Sequence, residues 1–172
     1  PGAGPAYGLF PPTHPGFAGT GVDDAARQRA RTVLKERGHK QPLSLIFSAR
    51  SSAAQGLAAV LQQQLGSFGL QVRLMPLPRS VIFERMKAKD PGGIILYSYR
   101  IRPDWDGRSI LHSEGVQNVS GLKDKALDEL LDEVEREMNP SAWKQRMAAV
   151  GAKYRAQLPS IPLLFARDVS VR

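Results

Sequence analysis

The densest concentration of chemically able side chains lies between Tyr97 and Arg108, in the segment YSYRIRPDWDGR. Tyr99, Arg100, Arg102, Asp104, Trp105, Asp106 and Arg108 fall within ten residues there. Arginine presents a planar fork of donors that matches a carboxylate or a phosphate. Trp105 offers a flat apolar face and one N–H, and the aspartates can hold an amine or pair with the arginines. That chemistry is recognition. A charged loop whose ions merely satisfy one another is the bland alternative, but a tryptophan between paired charges has little purpose in such a loop.

Catalysis finds less support. The chain contains no cysteine, which excludes thiolate nucleophiles, redox pairs and Cys-based zinc sites. His14, His39 and His112 lie in different segments without a second His or a carboxylate at ligand spacing, so each reads as a surface or packing residue. Asp104-Trp105-Asp106 is the one DxD cluster, and GxSxG, GxxxxGK[ST] and GxGxxG are all missing. The glycines at Gly2 and Gly4 follow no strand and form no phosphate loop. We expect no enzyme activity, no catalytic residue, no metal ligand and no cofactor.

The elements that must position this segment follow from periodicity. Residues 1–21 hold 11 of the chain's 29 Pro and Gly residues, which bars a helix or a central strand. Tyr7, Phe10, His14 and Phe17 argue against a free linker, so we expect an extended arm lying on a surface, either of this chain or of another part of a larger protein. Asp23 or Asp24 caps a helix that Gly38 stops. Pro42 to Ser48 is a strand, Ala53 to Gly66 a helix, Leu70 to Leu77 a strand, and Pro76 to Ser80 opens a helix. Ile94 to Tyr99 reads as a third strand, apolar on both faces at its start as a central strand is. The order β, α, β, α, β predicts an α/β fold with a mostly parallel or mixed sheet flanked by helices. The irregular segment rich in arginine and aspartate then leaves a strand end, where open α/β sheets bind ligands. Leu122 to Met138 is a helix with Leu127, Leu130, Leu131 and Val134 inward, and Pro140 starts another with Trp143, Met147, Val150 and Tyr154 inward. Ile161 to Ala166 and Val169 to Val171 read as strands.

Length and charge bound the rest. With 172 residues and 42% hydrophobic content, residues 22–172 form a single domain with one core. No run of 18 apolar residues and no signal-peptide pattern occurs, and the start at Pro1 without Met is expected from processing or excision. The net charge is +8, yet residues 122–138 carry seven acids against three bases. The basic run from Arg27 to Lys40 reads as a solvated helix face, so no nucleic-acid partner is expected.

Six pieces in this order resemble the family 5 solute-binding proteins of bacterial ABC importers, which take peptides or nickel. They are PPTHPGFAG, DDAARQRARTVLKERG, SLIFS, GLAAVLQQQLGSFGLQVRLMPLP, NVSGLKDKALDELLDEV and QLPSIPLLFARDVSV. The resemblance implies the C-terminal lobe of a type II periplasmic-binding-protein fold, with the first lobe absent from this chain. It also implies a monomer at the periplasmic or extracellular face, with or without a lipid anchor, that delivers a small solute to a membrane permease. Family members carry an "Ala-Asp-Tyr-x-Asp-Pro" loop. PDWDG is similar, so Asp104 matches the Asp that grips a peptide amine, Trp105 the aromatic and Asp106 the second acid. Gly107 replaces the usual Pro, and Arg100 and Arg102 replace small or apolar residues. These arginines favour an anionic or zwitterionic solute unless they pair with Asp104 and Asp106. The expected ligand contacts are Tyr97, Tyr99, Arg100, Arg102, Asp104, Trp105 and Asp106, with Asn118 and Ser120 secondary. The alternative is the same lobe as the ligand-sensing domain of a transcription regulator.

Overall fold

The structure, a computed structural model, describes residues 4–5, 8–17, 24–37, 41–89, 92–102 and 104–165. In chain order its elements are β1 (Gly4–Pro5), α1 (Asp24–Arg37), β2 (Leu43–Ser48), α2 (Ser52–Ser67), β3 (Val72–Leu77) and α3 (Arg79–Lys87). There follow β4 (Ile94–Ile95), α4 (Arg108–Leu111), α5 (Lys125–Arg136), α6 (Pro140–Gln157) and β5 (Leu164–Phe165). They divide into two compact units, Val22–Arg100 and the combination of Pro1–Gly21 with Ile101–Arg172. Among the described residues no helix is long and apolar enough to cross a membrane.

In the unit Val22–Arg100, three parallel strands run in the order β3, β2, β4. The two crossovers travel in opposite directions along the sheet, so right-handed connections place α2 and α3 on opposite faces. Alternation along β2 serves both. Leu45 and Phe47 pack against Ala54, Ala58 and Leu61 of α2, while Ile46 is fully buried toward the other face and α3 buries Ile82 and Met86. Ser51 starts α2 because its hydroxyl accepts the Ala54 N–H at 3.2 Å. Helix α1 is mostly exposed, and its Arg31 guanidinium lies 5.4 Å over the Phe68 ring.

The expected third strand is shorter and differently placed. Only Ile94–Ile95 pairs, on the edge beside Leu45 and Ile46, and Leu96 adds one bond by donating its N–H to the Ile46 carbonyl at 2.7 Å. The central strand is β2, the one with partners on both sides. Apolar composition marked burial in both segments, but only pairing decides which strand is central. On the other edge, β3 continues through Pro76, which a border strand tolerates because its missing N–H faces no partner. The helix after it begins at Arg79, within the expected Pro76–Ser80 opening and just past the end of the strand.

In the other unit, α5 and α6 form a helical hairpin. Asp124 caps α5 by accepting the Leu127 N–H at 3.0 Å, and Asn139 caps α6 through Ser141 and Ala142 with Pro140 in the first turn. Leu127, Leu131 and Val134 of α5, and Met147, Val150 and Tyr154 of α6, are buried at helical spacing. The arm lies on a surface of its own chain. Leu9, Phe10 and His14 are buried within this unit, and β1 pairs antiparallel with β5, Gly4 opposite Phe165. The expected strand Val169 to Val171 lies outside the described residues.

Replacing Ile46 with alanine removes a fully buried side chain and is expected to cost about 3 kcal/mol in a urea unfolding titration. Val60→Ala, at an exposed position of α2, is expected to change stability by less than about 0.5 kcal/mol.

Candidate functional site

The loop that leads into α4 begins with a turn, where the Trp105 N–H donates to the Arg102 carbonyl at 3.1 Å. Asp106 then accepts the Arg108 N–H at 2.9 Å, and Gly107 stands at φ +78° immediately before the helix. Proline is held near φ −65° and cannot take that conformation, which accounts for glycine here. A Cβ on Gly107 would also approach the Phe10 ring at 3.2 Å. The resulting turn leaves Trp105 and Asp106 half-buried and Asp104 exposed.

The charges pair as follows. Arg102 Nε lies 3.5 Å from Asp104, with both side chains about three-quarters exposed (73% and 76%). Such a pair contributes about 1 kcal/mol or less. Arg108 is held more firmly, hydrogen-bonded to Asp132 and 3.6 Å from Glu135, both on α5. Burial opposes its charge, but Asp132, Glu135 and Asp106 outweigh that and raise the guanidinium pKa further. The Arg108 hydrogen bond in turn holds the Asp132 carboxyl below the usual carboxylate range. Arg108 is therefore spent on structure.

Two open depressions flank this loop. One, of about 460 Å³, is lined by Trp105, Asp106, Arg108, Ser109, His112 and Glu114 together with Gly115 and Val116. The other, of about 400 Å³, is lined by Asp104, Trp143 and the α5–α6 turn from Glu137 to Pro140. Adjacent residues Asp104 and Trp105 thus serve different hollows. Among the described residues no group of three or more His, Asp or Glu side chains is placed to hold a metal ion.

Tyr97, Tyr99 and Arg100 belong to the unit Val22–Arg100, whereas Arg102, Asp104, Trp105 and Asp106 belong to the other. The Tyr97 and Tyr99 rings are 4.8 Å apart, and Tyr97 meets Phe83 edge-on at 6.1 Å. Burial, and secondarily the neighbouring Tyr97, pushes the Tyr99 hydroxyl up to about 12.

Asn118 is buried and braces the loop that follows α4. Its amide donates to the carbonyls of His112 (3.1 Å) and Leu122 (2.8 Å), and its oxygen accepts from Ser120 Oγ and the Leu122 N–H, both at 3.0 Å. Both donors and the acceptor of that amide are in use. His112 has no carboxylate at ligand spacing in the sequence. The fold brings it two, with Nε2 3.5 Å from Asp132 and Nδ1 3.9 Å from Asp128. The two acids lie one helical turn apart on α5, and that spacing is the trace the sequence carried. His39 lies outside the described residues.

No protein-family model and no curated protein matches the sequence. Solved structures do resemble it. The ABC transporter substrate-binding protein CtaP of Listeria monocytogenes superposes with a TM-score of 0.77 at 19% identity, over 94% of this chain and 34% of its own. The murein tripeptide-binding protein MppA of Escherichia coli gives 0.76 at 19% identity, over 95% and 34%. The nickel ABC transporter protein of Bacillus halodurans gives 0.76 at 19% identity, over 94% and 37%. The chain therefore has the fold of a type II periplasmic-binding-protein lobe. It spans about a third of the length of each of these proteins.

Asn118→Ala strips partners from two carbonyls and an N–H in the bracing loop, and is expected to lower stability by about 2 kcal/mol in chemical denaturation. The lowered pKa of Asp132 has a defined sign. Its ionised form is favoured in the folded state, so that stabilisation is present above the ordinary carboxylate pKa of 3.8 and disappears as pH falls below it. Asp132→Asn is expected to flatten the acid limb of a thermal-melt profile.

Proposed function

We propose that the chain acts in the binding lobe of an ABC-importer substrate-binding component at the periplasmic or extracellular face. It captures a peptide or other small polar solute for a membrane permease and does not transform it. The observation that carries this reading is the shared fold with three substrate-binding proteins across at least 94% of the chain.

The loop chemistry refines the ligand. Arg108 is committed to α5, and Arg102 pairs weakly with Asp104, so the groups left for a solute are an indole and carboxylates. A ligand amine can replace Arg102 at Asp104, since the exposed pair offers little to overcome. This favours a peptide amine over an anion. The charge distribution agrees: Val22–Arg100 holds 13 Lys and Arg against 5 Asp and Glu, which is the whole net +8, while the unit carrying Asp104 and Trp105 is balanced at 11 and 11. We assign ligand contacts to Asp104, Trp105 and Asp106, and on sequence grounds alone to Tyr97, Tyr99, Arg100 and Arg102.

A panel of di- to pentapeptides titrated onto the 172-residue chain, read by tryptophan fluorescence, tests the proposal. Weak saturable binding is expected, because a ligand normally buries most of its surface and this chain supplies part of the enclosure. Asp104→Asn and Trp105→Ala should each weaken it at least about tenfold, or about 1.4 kcal/mol. A folded chain that responds to no peptide would overturn the reading.

A further inference from the structure

We propose that residues 8–17 are a positioning element for Trp105, in which the stacked rings of Phe10 and His14 support the indole only while the imidazole is neutral. Phe10 is fully buried and His14 is 5% exposed. Their rings stack at 4.5 Å with 13° between planes. Phe10 meets Trp105 at 5.6 Å, and His14 meets Trp143 edge-on at 6.0 Å. The phenyl ring sits in a slot that glycine keeps open. A Cβ on Gly16 would come within 2.7 Å of it, and one on Gly107 within 3.2 Å.

The turn around His14 depends on its protonation state. The His14 N–H donates to the Pro11 carbonyl and the Phe17 N–H to the His14 carbonyl, each at 2.9 Å. The Gly16 N–H donates to His14 Nδ1 at 3.0 Å, so Nδ1 is an acceptor and the imidazole proton is on Nε2. Nε2 is buried without a hydrogen-bond partner among the described residues. An imidazolium carries donors on both nitrogens. Protonation would set a donor at Nδ1 against the Gly16 N–H and bury a charge that only the Trp105 backbone partly offsets, so the turn opens.

No side-chain charge nearby compensates. Residues 1–21 contain no Asp, Glu, Lys or Arg. The charged groups on the elements packed against His14 are Arg102, Asp104, Asp106 and Arg108 on the loop and Lys144, Arg146, Lys153 and Arg155 on α6. Among the described residues none of them forms an ion pair with the imidazole. Burial pushes the His14 pKa below its ordinary 6.5, and the Trp105 backbone opposes this only in part. The sign follows. Above about pH 6.5 the imidazole is neutral whether the arm is docked or free, and below it the free arm takes the proton more readily, so docking weakens as pH falls. Weaker ligand binding in acid follows only if Trp105 is a ligand contact as proposed above, whereas the coupling of His14 to Trp105 stands without it.

The test therefore observes Trp105 directly. The chain has two tryptophans, so Trp143→Phe leaves Trp105 as the sole reporter and keeps an aromatic ring beside His14. Acrylamide quenching of this full-length variant is expected to rise at least about twofold between about pH 7.5 and 5.5, as the local structure opens. Adding His14→Phe, which keeps the stack but cannot be protonated, should abolish the rise. If that variant does not fold by circular dichroism, His14→Gln supplies a neutral acceptor for the Gly16 N–H and should abolish it equally. Phe10→Ala should raise quenching at about pH 7.5 to the acid level while helix content is retained. An equal rise with and without His14, no rise in either, or a Phe10→Ala chain with unchanged quenching would each overturn the proposal. Failure of the peptide titration bears on the transport reading alone, because no ligand enters this measurement.

Discussion

The Arg108 guanidinium, shared between Asp132 and Glu135, fastens the Trp105 loop to the helical hairpin behind it. Without this bridge the loop would be a polar segment resting on the arm through Leu9, Phe10 and His14. With it, α4 is held to α5, the Ser113 N–H reaches Asp128 at 2.8 Å, and His112 is buried between the acids. The hairpin supplies the rigidity. Arg146 of α6 reaches Glu133 at 2.5 Å and Glu137 at 3.2 Å near one end, and Asp124 meets Gln157 and Lys153 at the other. Partly buried charge pairs that share hydrogen bonds define geometry better than exposed ones, since desolvation penalises any arrangement that leaves one partner alone.

The same bridge changes what the loop offers a ligand. An arginine with two carboxylates against it has little attraction left for a solute anion, and its partners lose theirs for a cation. On the proposed function, recognition falls to the Trp105 face and to Asp104, whose competitor among the described residues is the exposed Arg102. The overall positive charge says little about the ligand, because it resides in the unit Val22–Arg100 and the unit bearing this loop has none.

Much of the local structure was legible before folding was considered. The proline at 140, the stop at Gly38 and the spacing of Leu127, Leu131 and Val134 mark helices, with bounds within a residue or two except at α5, which starts at Lys125 behind its Asp124 cap and not at Leu122. These are near-neighbour effects, in which a side chain acts on its own backbone or on the next turn. The candidate loop was also visible as a cluster of unusual residues. The third strand was misplaced because Ile94 and Ile95 have a strand's composition on either side of a sheet edge, and the arm's surface was unreadable because its aromatic partners lie some 90 to 130 positions along the chain.

The sequence by itself determined the α/β order, most helix boundaries and the group of residues around Asp104 and Trp105, since these rest on local propensity and periodicity. Only the tertiary structure decided which charges are free. It paired Arg108 with α5, filled the Asn118 amide within its own loop, and placed Asp128 and Asp132 beside His112. Charge and hydrogen bonding depend on separations of a few ångströms, and residues far apart in the chain reach those separations only when burial of the apolar faces of α5 and α6 brings them together.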